Sequence, residues 1–336
     1  MPSEFSFIQQ IRQRASPANA NLTLGIGDDT AIWREQAGRE RLITTDLLIE
    51  NVHFKLDYTP LACLGHKTLA VSLSDIAAMG GTPEFALLSL GLPHAQMANP
   101  AWQDFFDGYF ALANKYGVAL IGGDTSASPN ALVLDSIVLG SCAQGTAIRR
   151  SGAQIGDAIY VTGQLGASAV GLELLLRGER YDEGIYDLRQ AAMRAHLLPE
   201  PRLAFAQTLP GLAHAMMDVS DGLAQDLAHI CAESGVDAVL DFEAVPMADC
   251  VGLIANTRDA AFSLAISGGE DYELLLTADP VAEATLQQRA TECQLRLTRI
   301  GEIRAREADQ TAPQLFLRTA TRVDLLTVKG YDHFRG

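Results

Sequence analysis

The side chains best placed to do chemistry in this sequence are aspartates set among glycines and small hydroxyl residues. The segment GIGDDT at 25–30 leads into an apolar run, Ala31–Arg34, a polar loop at 35–40 and a second run, Arg41–Thr45, that stops at Asp46. A symmetric hairpin closing between residues 37 and 38 would set Asp29 opposite Asp46, with Cβ atoms roughly 4.5–5.5 Å apart. Two carboxylates at about 4 Å repel by about 1 kcal/mol in water and about 4 kcal/mol at an effective dielectric of 20, so a divalent ion between them is a natural remedy. Thr44 shares the strand face of Asp46 and Thr45 adds a neighbouring hydroxyl; an all-oxygen set suits Mg²⁺ rather than zinc or copper. The competing reading is a loop in which Asp28 and Asp29 cap backbone amides.

Other acidic clusters repeat the pattern. GGDTS at 122–126 follows a short apolar strand ending at Ile121, where α/β proteins present ligand loops; Gly123 would admit a phosphate to the backbone and Asp124 could hold its metal, although the same letters also spell a turn. DVSDGL at 218–223 places Asp218 and Asp221 at a strand end and a helix start, where Ser220 or Asp221 could equally be an N-cap. Asp75 flanks the apolar stripe Leu69, Leu73, Ile76 of a helix, either exposed at an edge or turned towards a cation. His53, the pair Arg149 and Arg150, the cluster GGEDY at 268–272 and the segment KGYDHF at 329–334 each read as a site or as ordinary polar surface.

What is missing narrows the chemistry. The chain has no GxxxxGK[ST] loop, no HRD or DFG, no GxSxG and no HExxH, and GIG at 25–27 lacks the third glycine of a dinucleotide fingerprint. If ATP is used, its phosphates must be held by metal ions and backbone amides, which turns an aspartate-rich site into a requirement.

The elements that must position these residues alternate between extended and helical. Strands are expected at Ala31–Arg34, Arg41–Thr45, Phe85–Leu90, Leu120–Ile121, Leu132–Leu139, Ala158–Thr162, Ala215–Val219 and Tyr272–Thr277. Helices are expected at Lys67–Met79, Trp102–Tyr116 and Leu223–Glu233, each stopped by glycine. That alternation indicates an α/β or α+β architecture. The polar, glycine-bearing stretch 141–157 reads as a boundary between an N-terminal domain, 1–142, and a C-terminal domain, 150–336. Charge and length agree with a globular protein: 41 Asp and Glu against 25 Lys and Arg leave a formal charge of −16 over 336 residues. Such a balance argues against a nucleic-acid or anionic-membrane partner gripped by a basic surface. No apolar stretch is long enough to span a bilayer, and the first residues lack a secretory apolar core, so the expectation is a cytoplasmic protein. Five scattered cysteines without a CxxC support free thiols.

Taken in order, GIGDD (25–29), TTD (44–46), NVHF (51–54), LSDIAAMG (73–80), IGGDT (121–125), RRSGA (149–153), DVSDGL (218–223), SGGEDYEL (267–274) and KGYDHF (329–334) resemble the thiamine-monophosphate kinase family. That family is part of the aminoimidazole ribonucleotide synthetase-like superfamily, whose members use ATP without a P-loop. The resemblance implies a two-domain α/β fold whose N-terminal domain pairs in a homodimer and whose C-terminal domain packs beside it. It also implies phosphorylation of thiamine monophosphate to the diphosphate by direct in-line transfer from ATP. Carried over by position, Asp29, Thr44, Thr45, Asp46, Asp75, Asp124, Asp218 and Asp221 resemble the Mg²⁺ ligands. Gly123, Asp124, Arg150 and Ser220 resemble the ATP contacts, and His53, Glu270 and Tyr331 the positions that receive thiamine monophosphate. Asp46, Asp75, Asp124 and Arg150 would then carry the transfer. Thr30 and Thr44 depart from the common alanine and serine. No cysteine precedes Cys63 and the chain does not end in one, which separates it from the selenide-activating and hydrogenase-maturation branches. The alternatives are a metal-dependent phosphohydrolase, another ATP-using member of the superfamily, or a nucleotide- or metal-binding regulatory protein.

Overall fold

The computed structural model describes residues 22–24, 31–34, 38–93, 96, 99, 101–306 and 310–327. Strands β1 (Leu22–Leu24), β2 (Ala31–Arg34), β3 (Arg39–Ile49), β4 (Thr82–Pro93), β5 (Ala119–Ser128) and β6 (Val133–Ala143) form one sheet in the order β1-β2-β3-β6-β4-β5. All pairs are antiparallel except β4–β5, which are joined through helix α2 (Trp102–Tyr116) as a β-α-β unit. Gly117 ends α2 at φ 68°, a left-handed C-cap of the kind the sequence signals.

One face of this sheet is covered. Leu42, Thr44 and Leu48 of β3, Leu134, Ser136 and Val138 of β6 and Ala86, Leu88 and Leu90 of β4 are buried, and the residues between them are not. That alternation is the period of two that a strand imposes. Helix α1 (Leu61–Ala78) lies against the covered face, with 14 of its 18 residues buried. Such all-round burial means that α1 has neighbours on every side. Gly65 and Gly108 explain how close α2 comes: a Cβ on Gly65 would sit 1.9 Å from the Phe105 carbonyl oxygen, and one on Gly108 the same 1.9 Å from that of Ala62.

The second sheet comprises β7 (Ala158–Thr162), β8 (Ala213–Asp218), β9 (Val236–Asp241), β10 (Leu274–Ala278), β11 (Leu297–Ala305), β12 (Leu315–Arg318) and β13 (Val323–Leu326), in the order β13-β12-β9-β11-β7-β10-β8. It is antiparallel apart from β9–β12. Every residue of β7 and β10 is buried, so this sheet is covered on both faces. Tyr160, Met216, Leu274 and Leu276 join the core that contains α1, whereas Ile159, Val161, Met217 and Leu275 pack with α6 (Leu223–Ser234) and α7 (Arg258–Ser267). The stripe Leu223, Leu227, Ile230 and Cys231 is fully buried there. Helices α3 (Ala167–Leu176), α4 (Leu188–Leu197), the short α5 (Leu203–Ala206) and α8 (Glu283–Glu292) complete the second domain. The molecule is thus a two-domain α/β protein with α1 inserted between the sheets.

Three local expectations change. β3 runs on to Ile49, so Asp46 is in mid-strand rather than at a strand end. The hairpin pairs Ala31 with Ile43, placing its axis at residue 37 rather than between 37 and 38, and Asp46 has Ser136 of β6 as its cross-strand partner. IGGDT is not a loop after a short strand: it lies inside β5, an edge strand of ten residues.

Candidate active site

The site assembles on the buried flank of α1. Its last two turns carry Ser72, Ser74 and Asp75, which make side-chain hydrogen bonds to β3 and to the end of β8. Ser72 Oγ donates to Asp46 Oδ2 at 2.8 Å and Ser74 Oγ donates to Asp218 Oδ2 at 2.6 Å. Asp75 Oδ2 accepts from Thr44 Oγ1. Asp46, Asp75 and Asp218, contributed by β3, α1 and the end of β8, therefore gather around one helix. The crowding is felt by Tyr272, whose hydroxyl is pushed well above its ordinary pKa, first by burial and then by Glu270, Asp46, Asp218 and Asp75.

The glycine-rich segment of the second domain is zipped to the DVSDGL segment. Val219 N–H donates to Glu273 O at 2.7 Å, Tyr272 N–H to Val219 O at 2.9 Å and Glu270 N–H to Ser220 O at 2.7 Å. Gly269 permits this, since a Cβ there would meet the Ser220 carbonyl oxygen at 2.7 Å. Neither Ser220 nor Asp221 caps α6: the N-cap is Gly222, with no side-chain cap. Instead Asp226 Oδ2 accepts from the N–H groups of Asp221 and Gly222, at 3.2 and 3.1 Å, and fixes the turn from inside the helix. The Asp226 carboxyl is raised well above the ordinary range, by burial first and then by Asp221 and Asp218.

These segments border a cavity of about 890 Å³. Asp46, Ser220 and Asp221 lie on its wall with His53 and Glu270, and Val52, Tyr58, Val71, Leu172 and Tyr272 give it an apolar surface. A wall with carboxylates and an apolar lining can receive a molecule with an ionic head and an aromatic body. His53 Nδ1 accepts the Ile49 N–H at 3.0 Å, so its hydrogen in the neutral ring is on Nε2. Arg150 stands beside α6, close enough to push His229 down to about 4, after burial, which is the larger cause.

Two predicted ligands do not join this group. The cross-strand row Asp46, Ser136, Leu88, Gly123 spans β3, β6, β4 and β5, putting Gly123 about 14 Å from Asp46 at the usual strand spacing. Asp124 belongs to the adjacent row with Leu47, Asp135 and Ser89, on the opposite, uncovered face. Thr45 shares that face and donates to Asp135 Oδ1. The need for glycine at 123 is also different from expectation: at φ 151° its Cβ would stand 1.8 Å from the Leu88 carbonyl oxygen, so the neighbouring strand excludes a side chain there. Asp29 and Tyr331 lie outside the described residues.

Residues that the sequence did not single out complete the site. Ser72 is a polar interruption in an apolar helix, a visible signal; Lys67, His196 and Asp226 carried none, because an ordinary surface charge is written with the same letters.

The sequence matches the family models of the AIR synthase related protein over its N-terminal domain, at residues 27–142, and over its C-terminal domain, at 154–311. The thiamine-monophosphate kinase of Salmonella typhimurium is 38% identical over 98% of both chains, and that of Bacillus subtilis 35% over 99% of both. The chain belongs to the thiamine-monophosphate kinase family. Among solved structures, the thiamine-monophosphate kinase of Stenotrophomonas maltophilia is 38% identical with a TM-score of 0.75, covering 93% of this chain and 96% of that one. A structure described as AaThiL complexed with AMPPCP and TMP superposes with a TM-score of 0.82 at 29% identity, over 99% of this chain and 97% of its own.

Proposed function

We propose that this chain is the kinase its family indicates: it transfers the γ-phosphoryl group of ATP to the phosphate of thiamine monophosphate, giving thiamine diphosphate and ADP. The observation that carries this reading is the cavity that joins the Asp46 and Asp221 carboxylates to an apolar wall bearing His53 and Glu270. The acceptor is a phosphate oxygen that is already anionic, so a strong general base is not required. The obstacle is the approach of two polyanions in line.

Mg²⁺ is part of the proposal. Among the described residues no three carboxylate, imidazole or thiolate groups converge on a common ion position. The donors nevertheless fit magnesium, which keeps several waters and takes one or two carboxylates plus substrate phosphates rather than an all-protein cage. Asp46, Asp75 and Asp218 would contribute to more than one such ion, one or two carboxylates to each, with Thr44, Asp221 and Asp29 as further oxygen donors, and the ions would neutralise and align the phosphates. Arg150 adds positive charge near Asp226, while Ser220 lies on the cavity wall for the nucleotide. His53, Glu270 and Tyr331 receive the thiamine end.

The proposed assembly is a homodimer formed through the face that carries Asp124 and Thr45. The uncovered face of the first sheet carries Ile43, Leu47, Phe85, Leu87, Ile137 and Leu139, of which Leu47 is 49% and Phe85 40% exposed. A second copy laid on this face would bury it together with Asp124 and Thr45. No helix among the described residues is long and apolar enough to cross a membrane. Unpaired thiols at all five cysteines suit a reducing compartment, the cytoplasm.

The test is product analysis with γ-labelled ATP, thiamine monophosphate and Mg²⁺. Label in thiamine diphosphate is expected. Label released as inorganic phosphate would make the protein a phosphohydrolase, and binding of both ligands without turnover would make it a regulatory binder.

A further inference from the structure

Glu270 is held by two side chains, Lys67 off the cavity wall and His196 beside Glu270 on it, that the transfer of the phosphoryl group does not itself require. Lys67, on α1, is only 2% exposed, and its Nζ lies 3.0 Å from Glu270 Oε1. His196, on α4 and also 2% exposed, has Nδ1 3.1 Å from Glu270 Oε2. The same Nδ1 is 3.1 Å from Ser168 Oγ at the start of α3. A carboxylate can only accept, so the histidine tautomer in this contact carries its hydrogen on Nδ1. The backbone adds a third restraint: Glu270 adopts φ 63° and Tyr272 φ 50°, left-handed conformations unusual for side chains of their size, while between them Asp271 accepts the N–H groups of Gly166 and Ser168 at 2.8 and 3.3 Å. Local strain that the surroundings over-determine is a mark of a residue whose orientation matters.

We propose that Lys67 and His196 are positioning residues for thiamine monophosphate: one from each domain, they hold the two oxygens of Glu270 so that its carboxylate meets the thiamine end of the substrate in a fixed orientation. This rests on the reading of Glu270 as a substrate-binding group. A buried ammonium costs too much to leave unpaired, and its partner here is a carboxylate on the cavity wall. The arrangement also shapes the charge of the pocket. Burial alone would raise the Glu270 carboxyl, yet Lys67 and then His196 hold it well below the usual carboxylate range, so it stays ionised with its charge already countered. It then acts as a directional acceptor rather than as a bare counter-ion.

The competing account is that Lys67 merely ties the two domains together. Binding of thiamine monophosphate to the full chain, measured calorimetrically for wild type, Lys67→Met, Glu270→Gln and the double variant, separates them. Each single variant is expected to bind about 10- to 100-fold more weakly, the loss associated with a charged hydrogen bond. The double variant should bind no worse than Glu270→Gln alone, and the KM for ATP should keep its wild-type value. Glu270→Gln binding as tightly as wild type would overturn the reading of Glu270 and the inference with it. A weakened Glu270→Gln beside an unaffected Lys67→Met, additive losses in the double variant, or equal losses for ATP would overturn the inference alone. Should Lys67→Met fail to fold, His196 decides: His196→Asn, which keeps an N–H near the position of Nδ1, should retain affinity that His196→Phe loses. Wild-type binding by His196→Phe would again overturn the proposal.

Discussion

At the scale of single residues, the site is a set of carboxylates whose directions are set by hydroxyls. Asp75 and Asp46 accept from Thr44 and Ser72, and Asp218 from Ser74. Replacing Asp75 by Asn keeps the shape and removes the charge, so kcat should fall by about 10²- to 10³-fold while the circular dichroism spectrum is unchanged. Near-normal turnover at saturating Mg²⁺ would remove Asp75 from the reaction. Ser74→Ala leaves every carboxylate in place and loosens only Asp218. Its expected cost is about 10- to 100-fold in activity, partly recovered at high Mg²⁺ as judged by titrating the metal. The aspartates were legible because acids beside glycines and strand ends need a reason. Their partners were not: Ser74-Asp75 and Ser220-Asp221 look like an accidental repeat until folding brings Ser74 onto Asp218.

At the scale of elements, α1 is the organiser, since it faces both sheets and carries Lys67, Ser72, Ser74 and Asp75 on one length of helix. The sequence located its apolar stripe but started the helix at Lys67, six residues after its actual beginning at Leu61. The missing turn is the part that contacts α2, where Gly65 and Ala62 meet the backbone of Phe105 and Gly108. Gly65→Ala should therefore force the helices apart and destabilise the fold by about 1–3 kcal/mol or more, read as a lower denaturant midpoint. A midpoint equal to wild type would show that the helices can separate without loss. β5 teaches the complementary lesson. GGDT reads as a phosphate loop because glycines commonly make one, whereas here Gly123 is required by the carbonyl of Leu88 on the adjoining strand.

At the scale of the whole molecule, two consequences can be measured. The proposed homodimer would bury the uncovered face of the first sheet, so the Leu47→Lys, Phe85→Lys chain should sediment as a monomer. A dimer that persists would move the interface elsewhere. The second consequence is acid sensitivity. His229 is pushed down to about 4 by burial and then by Arg150, so between pH 6.5 and 4 the unfolded chain binds the proton and the native one does not. Its share of stability is complete above about 6.5 and is lost as the pH falls through 4. Thermal melts at pH 7.5 and 4.5 should differ less for His229→Gln than for wild type, and an unchanged difference would relocate the acid-sensitive group.

The sequence by itself determined the family, the two-domain α/β class, the helices α2 and α6 and most of the acids of the site. These follow from local information: apolar periodicity, glycine stops and the cost of leaving aspartates uncompensated. Tertiary structure alone decided which of those acids meet. Cross-strand register separates Asp46 from Asp124 by three strands and one sheet face, although both stand beside glycine or threonine in the sequence. Packing of α1 between the domains joins Ser74 to Asp218 and buries Lys67 against Glu270. The physical reason is that a residue's type records what chemistry it can do, whereas the charge it meets after folding depends on partners from 26 to more than a hundred residues away, which no local pattern encodes.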